Sequence, residues 1–224
     1  MLWSPNTQLL FPLENTALDY SGNARHGTVF GSGVYATKPN GGRCLYFDGT
    51  GDYVATPSFG LSGTVVVFAA DVRCKYTASP DQTLIGDARP SAAGAIWLSR
   101  WGGGNNLYWA FYNGTGEGFS GATNIFAGAY DDTWIHVVVA CDYSGKVCYF
   151  FRNGILFASP TLSGTPSFPS TARAKSIGAL AAGDRILTNG YLANVQLWTL
   201  ATMPAAGQML ANANRLMLGM NPIW

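Results

Sequence analysis

The residues best suited to chemistry are aromatic, and they crowd into one short stretch. Between Ile96 and Tyr112 lie Trp97, Trp101, Tyr108, Trp109, Phe111 and Tyr112, with Asn105 and Asn106 between them. A pyranose ring stacks its apolar face on such rings and hydrogen-bonds to side-chain amides at its edges, so this is a candidate glycan platform. If the stretch is a hairpin, strand alternation puts Trp97 and Trp101 on one face with Tyr108 and Tyr112. Ile96, Leu98, Trp109 and Phe111 then look inward. Core filling or a subunit contact would ask for the same residue types.

Other chemistries find less support. Glycoside hydrolysis needs two carboxylates flanking the sugar bond. The only glutamates are Glu14 and Glu117, and the adjacent Asp131 and Asp132 point to opposite faces if they lie on a strand. No nucleophile has an evident base: His26 sits in a glycine-bounded turn, and His136 lies between Ile135 and Val137, where a satisfied core histidine is expected. The run Gly102-Gly103-Gly104 lacks the following lysine and helix of a phosphate loop and reads as a hairpin tip. An enzyme is therefore not expected, nor any cofactor beyond calcium. Asp48, Asp52, Asp131 and Asp132 are candidate calcium ligands, competing with a plain role as turn formers, since a site needs six to eight converging oxygens.

The elements that must hold these residues are short strands. Twenty-eight glycines and 11 prolines in 224 residues imply many turns, and clusters of Gly, Asn, Asp and Pro separate strand candidates at 44–47, 53–55, 64–73, 83–86, 95–100, 106–112, 134–141, 146–152 and 192–199. In 64–72 and 134–140 both alternating faces are mostly apolar, which marks central strands covered on both sides. One helix is expected over 205–218, where Met209, Ala213, Leu216 and Met217 recur at helical spacing. The expected architecture is an all-β antiparallel sandwich with one short C-terminal helix, a single domain over 1–218 followed by an apolar tail, 219–224.

Thirteen basic and 12 acidic residues give a net charge of +1, too little for the electrostatic attraction that nucleic acids or anionic membranes require. So thin a coat of charge leaves room for a protein partner or for a face solvated by Ser, Thr and Asn. The first 13 residues lack Lys and Arg and are interrupted by Pro5 and Pro12, unlike a secretory signal. No apolar run approaches the length of a membrane span. The cysteines lack metal-ligand spacing. With Ser144-Gly145 as a two-residue hairpin loop, Cys141 and Cys148 face each other at a separation compatible with a bridge; without a secretory signal, free buried thiols are the expectation.

Several segments, taken in order, resemble a laminin-G-like, concanavalin A-type jelly roll. They are Asp19 to Asn23 with His26-Gly27-Thr28, FDGTGDYV at 47–54, Trp134 to Val137, a turn at 142–146, YFFRNGILF at 149–157 and GYLANVQLWT at 190–199, followed by the closing helix. Together they span nearly the whole chain. The resemblance implies the jelly-roll fold, and its glutamate-bearing catalytic strand is absent here. The fold hosts lectins, adhesion modules and glycosidases alike. The chain also resembles the jelly-roll accessory domains of tailed-phage virions, in which such a module ends in an Asn-Pro-aromatic tail. That implies a capsid decoration, tail or fibre component, made in the host cytoplasm, located in the virion and oligomeric with other assembly proteins through Pro222, Ile223 and Trp224. The alternative is a carbohydrate-binding module for a neutral glycan.

Overall fold

The computed structural model describes residues 6–75, 81–87, 92–100, 104–180, 187–217 and 222–223. Two antiparallel sheets face each other. In the first, β13 (Ile155–Ala158), β12 (Val147–Arg152), β11 (Ile135–Asp142), β6 (Val65–Cys74), β15 (Thr188–Leu200), β4 (Arg43–Asp48) and β3 (Tyr35–Thr37) are neighbours in that order. In the same sheet β1 (Thr7–Phe11) pairs with the second half of β15. The second runs β10 (Glu117–Ala122), β9 (Leu107–Tyr112), β8 (Ala95–Arg100), β7 (Gln82–Asp87), β14 (Lys175–Ile177), β5 (Tyr53–Ala55) and β2 (Thr28–Phe30). Helix α1 (Ala206–Met217) follows β15.

Alternation along β6 shows how the layers form. Val66, Phe68, Ala70, Val72 and Cys74 point between the sheets and join Leu45, Phe47, Leu98, Trp109, Phe111, Val137, Val139, Leu192 and Leu197 in the central core. Val65, Val67 and Ala69 point the other way. There they meet Val138, Ala140, Phe151, Trp198 and Leu200, and the stripe Met209, Ala213 and Leu216 of α1 closes over them. A strand covered on both faces reads as a near-continuous apolar run, which is why β6 and β11 are recognisable as central. Burying a single Phe or Val side chain contributes about 1.5–3 kcal/mol, so these two layers dominate the fold's stability.

The hairpin register between β11 and β12 sets Cys141 directly opposite Cys148. The two form a disulfide, with Cα atoms 4.2 Å apart. The expected facing pair is present, but the expected free thiols are not: direct cross-strand partners already stand within bonding reach. Cys44 and Cys74 are free and buried.

Within the central core Lys175 and Asp87 form an ion pair with no solvent contact, as direct partners across β14 and β7. Asp87 Oδ2 also accepts the Ile96 amide N–H at 2.9 Å. Burial pushes the Asp87 carboxyl up and the Lys175 ammonium down. The Lys175 ammonium lies 5.3 Å from the Phe59 ring centre.

Candidate functional site

Among the described residues of the aromatic stretch, strand alternation divides inward from outward side chains as expected, but the surface they make is different. Ile96, Leu98, Trp109 and Phe111 face the core. Trp97 lies on the outer face, where it is buried beneath Leu180 and against Ala110 and Tyr112. The cover exists because Gly86, the cross-strand partner of Trp97, has no side chain: a Cβ there would stand 2.9 Å from Leu180. Trp97 is therefore not a stacking surface, and Trp101 lies outside the described residues. Tyr108 and Tyr112 are half-buried, with Tyr108 edge-on to the exposed Phe119 at 5.8 Å. The amides are committed: Asn105 Oδ1 accepts from Arg100 at 2.9 Å, Asn106 Oδ1 accepts the Asn124 N–H at 2.8 Å, and Asn106 Nδ2 lies 3.4 Å from the Tyr108 hydroxyl.

The four aspartates proposed as calcium ligands divide between two places, and each has a protein partner. Asp52 Oδ1 accepts the Ser32 N–H at 2.6 Å and Asp52 Oδ2 the Asp48 N–H at 3.0 Å. Burial alone would raise this carboxyl, but the hydrogen bonds from Asp48 and Ser32 outweigh it and hold it below its ordinary value. Asp48 Oδ1 accepts the Thr50 N–H at 2.6 Å, as a turn-forming aspartate does. Asp131 and Asp132 follow a 3-10 turn (Gly128–Tyr130), not a strand, and pair with Arg100 at 2.8 Å and Arg73 at 3.0 Å. Among the described residues no group of three or more His, Cys, Asp or Glu side chains is placed to hold a metal ion.

A polar and aromatic surface lies instead on the outer face of the first sheet, beyond the end of α1. Ile135 pairs with Val72, Arg73 with Tyr191, and Tyr191 with Tyr46. Trp134, Arg73, Tyr191 and Tyr46 therefore form a row across four strands, roughly 14 Å long at about 4.8 Å per strand. Tyr191 lies 6.0 Å from Trp134 and 4.8 Å from Tyr46, ring centre to ring centre. The Arg73 guanidinium lies 5.2 Å from the Tyr191 ring centre, its Nε held by Asp132. Tyr46 donates its hydroxyl proton to Asn189 Oδ1 at 2.7 Å. All four side chains of the row are half-buried.

One step toward the helix, Asp71 on β6 stands between His136 on β11 and Ala193 on β15. A bulge in β15 turns Asn194, at φ +51°, toward it. Asp71 Oδ1 lies 2.8 Å from His136 Nδ1, and Oδ2 accepts from Asn194 Nδ2 at 2.7 Å and Lys38 Nζ at 3.0 Å. Lys38 arrives from the β3–β4 turn, which closes through Lys38 N–H to Gly42 O at 2.6 Å. Burial alone would raise the Asp71 carboxyl; the hydrogen bond from His136, with Lys38, overcomes it and leaves it below the ordinary carboxylate range. Beside this cluster is a pocket of about 310 Å³ lined by Lys38, Pro39, Asn40, Asp71, Trp134, Ile135, His136 and Met217.

His136 is thus no core histidine. It is buried, but against the outer face of the sheet, and only one ring nitrogen is partnered. The tail was expected to seek a partner through Pro222, Ile223 and Trp224. At Ile223 the backbone is clamped to the chain's own helix: Ile223 N–H donates to Asn212 Oδ1 at 2.7 Å, and Asn212 Nδ2 donates to Ile223 O at 2.9 Å. The Ile223 side chain is left 63% exposed; Trp224 lies outside the described residues.

A two-sheet antiparallel sandwich closed by a C-terminal helix, with a polar and aromatic outer face, defines a lectin-like jelly roll. Residues 48–206 match the profile of the laminin-G-type family described as the concanavalin A-like lectin/glucanases superfamily, and the chain belongs to that family. No curated protein matches it. Among solved structures it is similar to the ligand-binding domain of botulinum neurotoxin serotype D in complex with N-acetylneuraminic acid. The TM-score is 0.71 at 12% identity, covering 96% of this chain and 51% of that one. It is also similar to domain 4 of AbnA, a GH43 extracellular arabinanase from Geobacillus stearothermophilus, in complex with arabinotriose. There the TM-score is 0.69 at 15% identity, covering 95% and 98%. The chain spans about half the length of the toxin domains it matches. No helix among the described residues is long and apolar enough to cross a membrane.

Proposed function

We propose that this chain is a non-catalytic carbohydrate-binding module, and that a neutral glycan lies along the Trp134, Arg73, Tyr191 and Tyr46 row. The observation that carries the reading is the row itself: three aromatic rings and a guanidinium beside one of them, in line on or beside four strands and half-buried, outside the patch that the described residues of α1 cover. Stacking on ring faces with hydrogen bonds at the edges is the chemistry of sugar recognition. Two cations, Lys38 and Arg73, are matched here by two carboxylates, Asp71 and Asp132, which favours an uncharged ligand. Among the described residues Asp71 is the one carboxylate lining the pocket, whereas hydrolysis asks for two. Likeness to an arabinanase domain bound to arabinotriose supports the class of ligand.

A glycan array followed by calorimetry on the hits tests this. Trp134→Ala and Tyr191→Ala are each expected to weaken binding by about tenfold or more, in line with about 1–3 kcal/mol lost per stacked ring by analogy with base stacking. EDTA is expected to leave binding unchanged. Full affinity in both variants would sink the reading.

One observation favours a second reading, a surface component of a larger particle such as a virion. The Ile223 backbone is fixed while its side chain is held out to solvent. Light scattering over a range of concentrations, with and without residues 219–224, is expected under that reading to show an oligomer that truncation abolishes. A monomer indifferent to truncation counts against it.

A further inference from the structure

The pocket at the side of the row contains a polar atom that has nothing to bond. His136 is 5% exposed, its ring forms part of the pocket wall, and Nε2 is buried without a hydrogen-bond partner among the described residues. Buried polar nitrogens in native proteins are nearly always satisfied, so an orphan in a pocket wall points to a group that comes from outside.

Its neighbours decide what that group must be. The ionised Asp71 carboxylate only accepts, so the hydrogen bond at 2.8 Å places the imidazole proton on Nδ1. With the ring's proton on Nδ1, Nε2 is its acceptor. The other Asp71 oxygen is filled by Lys38 and Asn194, which leaves Nε2 as the unpartnered acceptor of the cluster. Donors are supplied by the remaining protons of the Lys38 ammonium. A hydroxyl gives a proton to Nε2 and takes one from Lys38 through a single atom. A carboxylate or phosphate has no proton to give at neutral pH, and an ammonium would face Lys38. About 310 Å³ is at the small end of ligand sites, suited to one ring rather than an oligosaccharide.

We propose that this pocket binds a single neutral, hydroxyl-rich sugar residue of the glycan laid along the row, and that His136 selects it by accepting a hydroxyl proton at Nε2. The proposal rests on the glycan-binding reading above.

Two measurements on the full chain test it. Long-range proton–nitrogen NMR of the imidazoles at pH 7.5 should find His136 protonated on Nδ1; an Nε2-protonated ring overturns the proposal with no ligand needed. Calorimetry with the strongest neutral array hit should show His136→Phe, which keeps a ring but removes the acceptor, binding about three- to tenfold more weakly, the loss of about one hydrogen bond. Unchanged affinity in a folded His136→Phe, with Tyr191→Ala still weakening binding, overturns the pocket and leaves the row standing. Binding indifferent to Tyr191→Ala overturns both.

Discussion

Replacing Lys175 by Met is expected to destabilise the fold by about 3–5 kcal/mol, because it leaves the Asp87 carboxylate uncompensated inside the sandwich. At about 2–4 °C per kcal/mol for a chain of this size, the melting temperature should drop by roughly 6–20 °C. Neither partner touches solvent, so the usual discount for surface ion pairs does not apply. The loss should also carry a pH signature. Burial already raises the Asp87 carboxyl, and removing the ammonium raises it further. A carboxyl whose folded pKa lies above its unfolded one takes up a proton more readily when folded, so its penalty grows as pH rises through the folded pKa and fades below it. The variant's deficit in chemical denaturation should therefore be smaller at pH 5 than at pH 8. Adding Asp87→Asn should restore more than half of the loss: the amide oxygen can still accept the Ile96 N–H, and no charge remains buried. A single variant as stable as the parent at pH 8 would show that the pair contributes nothing.

The central strands were legible because both of their faces are apolar, and a strand flanked by sheet on both edges and covered on both sides has no other way to be written. The register of Cys141 on Cys148 was legible too, although the loop is the four residues Tyr143 to Lys146 rather than the two expected: lengthening a loop by one residue at each end leaves every later pair in place. Short edge elements were not. Strand β10, reading EGFSGA, hides its alternation behind glycines that give way to aromatic rings: a Cβ on Gly118 would stand 2.2 Å from Phe111, and one on Gly121 2.4 Å from Tyr108. Strands β2 and β14 have three residues each, too few for a period to show. The aromatic hairpin drew attention because its residues are adjacent in the chain, yet a neighbouring segment covers Trp97, which no local pattern reveals. The row is the converse case. Its members come from positions 46, 73, 134 and 191, on or beside four different strands, and only the sheet order brings them together. A signal did exist in β6, where the outward series Val65, Val67, Ala69 changes to Asp71 and Arg73. That change marks where α1 stops covering the face.

Asp71→Ala tests whether that change of character has structural weight. One carboxylate ties together β6, β11, β15 and the β3–β4 turn through His136, Asn194 and Lys38. Its removal strands the buried His136 ring with neither nitrogen partnered, while Lys38 regains water. The expected loss is about 2–4 kcal/mol, below the sum of three charge-assisted bonds because of that resolvation. Asp71→Asn separates charge from hydrogen bonding, since the amide oxygen still accepts but carries no charge; about 1–2 kcal/mol should be lost at neutral pH. The sign of the pH dependence follows from the depressed carboxyl. Its stabilisation is fully present above the unfolded pKa, near 4 for an aspartate, and disappears as pH falls through the lower folded value. Parent and Asp71→Asn stabilities should therefore converge below about pH 4 and stay apart above it. Curves that remain parallel down to pH 2.5 would mean that the Asp71 charge does not hold these strands together. The outer face would then owe its order to the α1 contacts alone.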